Sequence, residues 1–532
     1  MTRAGSRRAT WRSRTRSTAC SAVPGSIVSG DRVENIDELM VRAARAATGL
    51  EALGVTAGDT VALCLRNDIA TFEAGGAAGL VGAYAVPINW HLAPEEASYI
   101  LRDCAARVLV IHADLLPPIA PIVPEGVTVL VVPTPPELAA SYNVAESATK
   151  IPAGREDWSA WLEQFPPLPP RAVAAPGAMI YTSGTTGRPK GVRRLPVNEA
   201  QMEALYAPIL MALGHRPGMR TIIPAPLYHS APNTYAALAV RIGAEKIVLM
   251  PRFEPEELLL LIEAHRITHL QTVPTMFIRL LKLPEEIRGK YDLSSLEFVV
   301  HAAAPCPAEV KAAMIAWWGP VINEYYGATE IGTVVFCTAA ESLAHPGTVG
   351  RALPGVDVRV LDENGGDSPV GVPGEVFARI RAATDFTYHG DDGKRRNAER
   401  HGLISVGDIG YLDAEGFLYL CDRRNDMVIS GGVNIYPAEI EGALIALPEV
   451  ADCAVFGIPD EEMGEALCAC IQPAFGTDPD ETAIRAHLRG RLASYKVPRR
   501  IVFMDQLPRE DSGKIFKRKL REPYWQGRQR RI

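Results

Sequence analysis

One stretch of the chain reads Tyr181-Thr182-Ser183-Gly184-Thr185-Thr186-Gly187-Arg188-Pro189-Lys190-Gly191. It follows a short apolar run and combines three glycines, four Ser or Thr hydroxyls and a lysine. Glycines allow backbone N–H groups to approach an anion, and the hydroxyls and the lysine add donors and positive charge. The stretch therefore predicts a loop that binds a triphosphate, although a flexible turn would have a similar composition. It is not a Walker A loop, because Pro189 precedes Lys190 and Gly191 stands where that loop has Ser or Thr.

Further short motifs follow this stretch in the order Pro226-Leu-Tyr-His229, Ala302-Ala-Ala-Pro305, Tyr326-Gly-Ala-Thr-Glu330, Gly407-Asp408, Asp422-Arg423 and Pro508-Arg-Glu-Asp-Ser-Gly-Lys514. The ordered set resembles the signature motifs of the adenylate-forming superfamily, which includes acyl-CoA synthetases, adenylation domains of peptide synthetases and beetle luciferases. The resemblance extends from about Asp31 to Lys519. Any one motif could arise by chance, whereas the complete ordered set is specific.

The resemblance implies an ATP- and Mg²⁺-dependent ligase that joins a small-molecule carboxylic acid to coenzyme A through an acyl-adenylate. The catalytic residues that it implies are Lys514, His229 and Glu330, and Glu330 would also bind the metal. The residues implied for ATP and AMP are Thr182, Ser183, Gly184, Thr185, Thr186, Gly187, Lys190, Ala302, Ala303, Ala304, Pro305, Glu324, Tyr325, Tyr326, Gly327, Thr329, Asp408 and Arg423. Ser430, Gly431 and Gly432 would meet coenzyme A. Asn425 stands at the hinge position, where the family usually has Asp or Lys.

The chemistry explains why such residue types are needed. The carboxylate that attacks and the phosphate that it attacks are both anionic, so the site must align them and neutralise their charge. Asp408 can accept hydrogen bonds from both ribose hydroxyls, and Lys514 would bridge the two anions. Taken singly, Asp408 could be a turn residue, Glu330 an exposed charge and His229 a core histidine. Lys514 also begins a basic run to Arg521 that alone would suggest an exposed surface.

The predicted acyl pocket departs from the usual family pattern. The chain has His301 before three alanines where the family usually has Gly-Gly-Ala-Pro or Gly-Ala-Ala-Pro, and Glu324-Tyr325-Tyr326-Gly327 where Gln-Gly-Tyr-Gly is common. The residues assigned to this pocket are His229, Ser230, Ala231, Asn233, His301, Ala303 and Tyr325. Alanines and few polar groups favour a bulky apolar acid, such as a polycyclic terpenoid, a steroid-like acid or a fatty acid. No charge stands ready for an amino group, which argues against an amino acid.

The domain organisation follows from length and pattern. A chain of 532 residues exceeds what one hydrophobic core normally holds. Residues 31–422 alternate apolar strands with helical segments and predict an α/β domain of layered sheets and helices. Residues 428–532 predict a small α+β domain. The resemblance implies that this domain is mobile and that a hinge at residues 423–427 joins it to the first. Residues 1–30 contain six arginines, no acid and much Ser and Thr, and we expect a disordered arm there.

Several elements are predicted individually. The predicted strands are Thr60–Cys64, Arg107–Ile111, Val127–Val132, Ala178–Tyr181, Lys246–Met250, Phe298–Val300, Val450–Phe456 and Ile501–Met504. The predicted helices are Ile36–Leu53, Pro255–His265 and Glu439–Ala446, followed by one with Ile484, Leu488 and Leu492 on one face. Turn signals between Asp357 and Leu420 predict antiparallel hairpins.

Composition narrows the functional classes. The net charge of −7 argues against nucleic-acid binding, because phosphate neutralisation requires a basic surface. Nine cysteines lack metal-ligand spacing and favour a reducing cytoplasm. No apolar stretch is long enough to span a membrane. A homodimer is compatible with the sequence.

Three alternatives to a complete acyl-CoA ligase stay open. The chain could be an acyl-AMP ligase that loads a carrier protein, although the insertion that commonly restrains the small domain of such enzymes is not evident. It could run only one half-reaction. It could also be an adenylate-binding protein that has lost turnover, against which the intact Glu330 and Lys514 speak.

Overall fold

The computed structural model describes residues 25–174, 176–182, 189–197, 199–389, 392–424, 426–509 and 515–526. In these ranges no helix is both long and apolar enough to cross a membrane.

The first part of the chain builds a parallel sheet. Its elements are β1 (Ser26–Ser29), β2 (Arg32–Asn35), α1 (Ile36–Ala52), β3 (Thr60–Cys64), α2 (Ile69–Val81), β4 (Tyr84–Pro87), α3 (Pro94–Asp103), β5 (Val108–His112), α4 (Leu116–Ile119), β6 (Thr128–Val132), α5 (Pro136–Tyr142), β7 (Glu156–Asp157) and α6 (Trp158–Leu162). The sheet order is β4-β3-β5-β6-β7, with all pairs parallel. Strands β3 and β5 are buried along their whole length, as expected of a parallel sheet covered by helices on both faces.

The second part builds a larger mixed sheet and a small sheet, two of whose strands flank residues 183–188. Its elements are β8 (Ile180–Thr182), β9 (Lys190–Arg194), α7 (Glu199–Ala212), β10 (Arg220–Ile223), α8 (Ser230–Ile242), β11 (Lys246–Leu249), α9 (Pro255–His265), β12 (His269–Thr272), α10 (Pro274–Leu281), α11 (Glu285–Arg288), β13 (Phe298–His301), α12 (Ala308–Trp318), β14 (Ile322–Ala328), β15 (Gly332–Cys337), α13 (Ala339–Ala344), β16 (Thr348–Ala352), β17 (Val356–Leu361), β18 (Gly374–Ile380), β19 (Phe386–Tyr388), α14 (Asp392–Asn397), β20 (Glu399–Arg400), β21 (Leu403–Leu412) and β22 (Leu418–Arg423).

The larger sheet has the order β17-β18-β21-β22-β16-β15-β14-β13-β12-β10-β11-β1-β2, with β20 paired to β21. Its strands from β14 to β1 run parallel, and those from β17 to β15 pair antiparallel. The small sheet has the order β19-β9-β8. The carboxyl ends of the parallel strands therefore meet at one edge, where ligands bind in open α/β sheets.

The last part forms a separate α+β unit. It contains β23 (Val428–Ser430), β24 (Val433–Ile435), α15 (Pro437–Ile445), β25 (Val450–Asp460), β26 (Gly464–Pro473), α16 (Glu481–Arg491), β27 (Arg500–Phe503) and α17 (Lys517–Trp525). The sheet order is β24-β23-β26-β25, and β27 pairs in parallel with β26. Ile440 and Leu444 of α15 and Ile484 and Leu488 of α16 share one hydrophobic core with this sheet.

The predicted fold class is confirmed, because a large layered α/β domain precedes a smaller α+β domain. The predicted strands and helices are present with ends shifted by up to a few residues, and the hairpins between Asp357 and Leu420 are antiparallel. The arm predicted for residues 1–30 needs correction at its end. Residues Ser26–Ser29 form β1 and pair with β11, because Ile27 and Val28 are buried in the core. The bounds 31–422, 423–427 and 428–532 stay predictions.

A buried carboxylate links the two sheets of the large domain. Asp68 caps α2 and accepts hydrogen bonds from Arg32 Nη2 at 2.6 Å and from His112 Nε2 at 3.0 Å. Burial alone would raise the pKa of Asp68, but the hydrogen bonds and charges of His112 and Arg32 outweigh it and lower that pKa to about 2. The carboxylate therefore stabilises the fold as long as it is ionised.

Acid should remove this contribution. Because the folded-state pKa of Asp68 is depressed, about 2 kcal/mol of stability is present above about pH 4 and is lost as the pH falls towards 2. The free energy of unfolding, measured with urea from about pH 5 to about pH 2.5, should depend less on pH in Asp68→Asn than in the wild type. The same substitution at the exposed Asp31 serves as the control. An unaltered slope in Asp68→Asn would contradict the assignment.

Candidate active site

A cavity of about 3520 Å³ lies at the carboxyl ends of the parallel strands of the larger sheet. Leu227, Val273 and Ala303, which follow β10, β12 and β13, line it. Residues of the small domain, among them Tyr436 and Lys517, border the same space. The cavity therefore brings together residues that are distant in the sequence and belong to both domains.

One polar corner of the cavity is built by β14, β21 and β22. Asp408 Oδ2 accepts a hydrogen bond of 2.7 Å from the Tyr326 hydroxyl, and Asp408 Oδ1 lies 3.5 Å from Arg423 Nε. The register of β21 and β22 pairs Asp408 with Arg423, so the backbone itself sets this contact. Burial and the neighbouring Asp408 charge raise the pKa of Tyr326, which keeps its hydroxyl a donor. The corner presents a fixed carboxylate that can accept hydroxyl groups of a ligand.

A second polar group contains Glu330 and the flanks of the glycine-rich loop. Thr182 at the end of β8 pairs with Lys190 at the start of β9, and both flank residues 183–188. The Tyr388 hydroxyl donates a hydrogen bond of 3.1 Å to Glu330 Oε1, and Lys190 Nζ lies 6.0 Å from the centre of the Tyr388 ring. Thr329 and Glu330 line the cavity. Of the predicted loop residues, Ser183, Gly184, Thr185, Thr186 and Gly187 lie outside the described residues.

The turn after β13 forms another wall. Ala303, Ala304 and Pro305 line the cavity, whereas Ala302 is buried beneath them. Ala303 has a φ of 74°, a left-handed conformation that costs a non-glycine residue about 1 kcal/mol or more. On the facing strand, a Cβ at Gly327 would lie 2.2 Å from the Gly332 carbonyl oxygen, so only glycine fits there. Tyr325, Tyr326 and Gly327 border the same space.

Glu324 is held by a partner that the sequence did not reveal. Lys311 on α12 forms a buried salt bridge with Glu324, and its Nζ also donates to the Thr348 carbonyl oxygen at 3.2 Å. Burial raises the pKa of Glu324 despite the opposing charge of Lys311. Both side chains border the cavity. In the sequence Lys311 directly precedes the apolar stretch Ala312–Trp318, but nothing there indicates Glu324 as its partner.

The structure corrects the assignment of His301 to the acyl pocket. His301 is fully buried and does not belong to the cavity lining found among the described residues. Its ring lies 5.2 Å from the Phe277 ring in an edge-on arrangement, and its Nδ1 lies 3.9 Å from Glu324 Oε1. His301 is the last residue of β13, and its side chain faces α10, whereas the chain turns towards the cavity only after it.

Four of the other predicted pocket residues lie together at the start of α8. His229, Ser230, Ala231 and Asn233 line the cavity, with His229 immediately before the helix. Asn233 Nδ2 donates to the Leu227 carbonyl oxygen at 2.9 Å, which fixes the turn ahead of the helix. From here the cavity continues along apolar side chains of several helices, which are Phe72, Leu80, Leu205, Ile209, Leu213, Val240 and Ile242.

The small domain contributes another cation that the sequence did not single out. Lys517 Nζ lies 2.8 Å from Glu441 Oε1, and burial is outweighed by the charges of Glu441 and Asp422, which raise the pKa of Lys517. Lys517 belongs to the basic run that alone would suggest an exposed surface. The catalytic candidate Lys514 and the hinge candidate Asn425 lie outside the described residues.

The residues assigned to coenzyme A are not part of the cavity lining described here. Ser430, Gly431 and Gly432 form the turn between β23 and β24, where Gly431 and Gly432 have φ values of 57° and 80°. The Gly431 N–H donates to the Met463 carbonyl oxygen at 2.8 Å. In this arrangement of the domains the structure does not bring the turn to His229.

The donor set fits Mg²⁺ that arrives with a nucleotide. Within the described ranges, no three His, Cys, Asp or Glu side chains come together as a metal cluster. Glu330 is one of the carboxylates that line the cavity. Mg²⁺ commonly binds through one or two carboxylates together with phosphates and water, so Glu330 is sufficient as the protein ligand.

Comparison with known proteins agrees with this geometry. Residues 19–384 match the family model "AMP-binding enzyme", and residues 439–514 match "AMP-binding enzyme C-terminal domain". The chain belongs to the AMP-binding enzyme family. The predicted resemblance to the adenylate-forming superfamily is thereby confirmed.

This AMP-binding enzyme has relatives over nearly its whole length. It is 33% identical over 488 residues to a feruloyl-CoA synthase of Amycolatopsis sp, covering 92% of this chain and 93% of the relative. It is 31% identical over 490 residues to a long-chain-fatty-acid–CoA ligase of Mycobacterium tuberculosis, covering 90% and 91%. A crystal structure of an anthranilate CoA ligase in complex with anthranoyl-AMP matches with a TM-score of 0.82 and 27% identity, covering 94% of both chains. The AMP-binding enzyme is an acid–thiol ligase.

Proposed function

We propose that this enzyme activates a bulky or long apolar carboxylic acid with ATP, releases pyrophosphate, and transfers the acyl group from AMP to coenzyme A. The observation that carries the proposal is a single cavity, which extends from the polar corner at Asp408 and Arg423 to an apolar wall beyond His229. A nucleotide and an apolar acid can therefore occupy neighbouring parts of the same space.

The polar residues have complementary roles in this proposal. Asp408 accepts the ribose hydroxyls, with Arg423 beside it, and the turn at Ala302–Pro305 together with Tyr326 borders the adenine. Lys190, Thr182 and Thr329 donate to the phosphates, and Glu330 holds Mg²⁺. When bound, Mg²⁺ supplies positive charge that offsets the phosphate charge. Lys514 is proposed to align the acid carboxylate with the α-phosphate.

The second half-reaction requires the small domain to turn about residues 423–427, with Asn425 as the pivot. This movement would bring Ser430, Gly431 and Gly432 towards His229, where coenzyme A meets the acyl carbon. The turn is not among the described residues that line the cavity, which supports the need for such a movement. The hinge, a homodimer and a cytoplasmic location stay predictions.

Two glycines in α2 support an apolar substrate of considerable size. Gly75 and Gly79 lie one helical turn apart and both line the cavity. A Cβ at Gly79 would meet nothing within 4 Å, and one at Gly75 would meet only Leu63 Cδ1, at 4.0 Å. By contrast, a Cβ at Gly76 would approach Ala43 Cβ to 3.2 Å. Glycine inside a helix costs about 1 kcal/mol relative to alanine, yet packing does not require it at residues 75 and 79. These positions leave room for an acyl group.

A larger side chain at residue 79 should change the selectivity of the enzyme between long and short acids. Gly79→Leu is expected to lower kcat/KM for long or polycyclic acids by about tenfold or more, because the added side chain occupies the apolar space. Activity with a short acid should be unaffected. Gly79→Ala is the control, and it should raise the free energy of unfolding by about 0.5–1 kcal/mol through helix propensity. Equal losses on short and long acids in Gly79→Leu would remove α2 from the acyl wall.

The proposed function is tested by AMP release. The purified enzyme with Mg²⁺ and ATP is offered fatty, aromatic and polycyclic acids, with either coenzyme A or a phosphopantetheinyl carrier protein as acceptor. We expect AMP release and thioester formation with coenzyme A and apolar acids. Transfer only to the carrier protein would instead identify a carrier-loading ligase. Adenylate formation without transfer to either acceptor would identify an enzyme of one half-reaction, and no adenylate with any acid would overturn the proposal.

A further inference from the structure

Arg194 at the end of β9 is attached to the loop that carries Glu330. Its Nη2 donates two hydrogen bonds, one of 2.8 Å to the Thr329 carbonyl oxygen and one of 2.7 Å to the Glu330 carbonyl oxygen. One nitrogen thereby uses both of its protons on two successive carbonyl groups. Because the planes of neighbouring peptides depend on the same dihedral angles, these bonds fix the direction in which the Glu330 side chain leaves the backbone.

The small sheet places the side chains of Lys190, Arg194 and Tyr388 on one face. Lys190, Val192 and Arg194 alternate with Gly191 and Arg193 along β9, and side chains two residues apart on a strand share a face. On the neighbouring strand β19, Phe386 pairs with Arg194 and Tyr388 pairs with Val192. Tyr388 donates to the Glu330 carboxylate from this face, as described above. Glu330 is thus held at its backbone by Arg194 and at its carboxylate by Tyr388.

Among the described residues no carboxylate forms a salt bridge with Arg194, whose Nη2 donates to two carbonyl oxygens instead. Burial lowers the pKa of the Arg194 guanidinium, and the charges of Glu330 and Asp385 oppose that effect. A half-buried cation that donates to neutral carbonyl groups forms weaker electrostatic interactions than one paired with a carboxylate. The role that the structure shows for Arg194 is therefore to hold the Thr329–Glu330 loop by hydrogen bonds, not to form a charge pair.

We propose that Arg194 is a positioning residue that orients the Thr329–Glu330 peptide, so that the Glu330 carboxylate is set for Mg²⁺ bound with ATP. The inference rests on the proposed function, in which Glu330 holds Mg²⁺. Arg194 does not touch the metal in this role. It acts through the two carbonyl groups, in the way that outer partners orient metal ligands elsewhere.

The strand itself supplies a matched control. Arg193 points to the opposite face, where its guanidinium lies 4.6 Å from the centre of the Tyr84 ring and its Nη2 donates to the Gly58 carbonyl oxygen at 3.2 Å. Arg193→Met removes an arginine from the same strand without touching the Glu330 loop. Arg194→Lys keeps the positive charge but cannot reproduce both hydrogen bonds from one planar group.

The experiment measures ATP binding by calorimetry with Mg²⁺ and with EDTA, and the Mg²⁺ dependence of acid-dependent ATP–pyrophosphate exchange. Arg194→Met should weaken Mg²⁺-dependent ATP binding and raise the Mg²⁺ concentration for half-activation by about 10–100-fold. Binding in EDTA should change less than about twofold, and Arg193→Met should match the wild type. Arg194→Lys should also raise the Mg²⁺ concentration for half-activation, but by less. If Arg194→Met does not fold, the result for Arg194→Lys tests the inference.

Wild-type Mg²⁺ dependence in Arg194→Met or Arg194→Lys would overturn the inference. Equal weakening of binding with and without Mg²⁺ would also overturn it, because it would indicate a general loss of the nucleotide site. A wild-type enzyme that binds no ATP under either condition would instead contradict the proposed function, so the two failures are distinguishable.

Discussion

Lys311→Met is expected to lower the free energy of unfolding by about 3–5 kcal/mol, because it leaves the Glu324 carboxylate buried without its partner. Lys311 and Glu324 both have side chains only 5% exposed, so water cannot replace the lost salt bridge. The Thr348 carbonyl oxygen would lose a donor as well. The expected loss is comparable to the whole stability of a marginal domain.

Urea unfolding at neutral pH measures the effect. The double variant Lys311→Met/Glu324→Gln should recover most of the loss, because the unpaired charge is removed together with its partner. The exposed pair of Lys290 and Glu256 provides the control, since Lys290→Met should leave the unfolding midpoint unchanged. A double variant no more stable than Lys311→Met would show that the buried charge is not the cause.

Asp408→Ala should reduce the affinity for ATP and for AMP by roughly 100-fold, which corresponds to about 3 kcal/mol. The Asp408 side chain is only 12% exposed and is fixed by Tyr326 and by the register with Arg423. Its removal takes away the proposed acceptor for the ribose hydroxyls and the carboxylate that lies 3.5 Å from Arg423 Nε. Calorimetric titration of both nucleotides gives the affinities directly.

Tyr326→Phe is the matched control for this change. It deletes the hydrogen bond to Asp408 Oδ2 but retains the carboxylate, so nucleotide affinity should fall by less than about tenfold. Both variants should unfold near the wild-type midpoint. Equal nucleotide affinity in Asp408→Ala and the wild type would exclude Asp408 from the ribose site.

The ordered motifs predicted several residues that the structure brings to one cavity, where we propose that the nucleotide binds. Asp408, Arg423 and Glu330 stand in short motifs whose residue types follow from the charge that the reaction must handle. The structure places all three beside one cavity. Such motifs are informative because each one forms a strand end or a tight turn, and this local structure determines where its side chains point.

Contacts between distant segments could not be predicted in the same way. Lys311 meets Glu324 because α12 packs against β14. Arg194 of the small sheet meets the loop between β14 and β15 of the larger sheet. Neither pairing leaves a periodic or motif signal. The error at His301 has a related cause, since the face that a side chain takes at the end of a strand depends on where the following turn begins.

The cavity with a polar corner and an apolar wall also has a consequence for how an amphiphile enters and leaves. Each methylene transferred from water to the apolar end is worth about 0.8 kcal/mol, so the tail of an acid decides which way round the molecule lies before any bond is made. The tail keeps the same apolar contacts with the cavity wall after the thioester has formed. An acyl tail long enough to enforce the correct orientation therefore slows the departure of the product, and turnover should peak at an intermediate tail length.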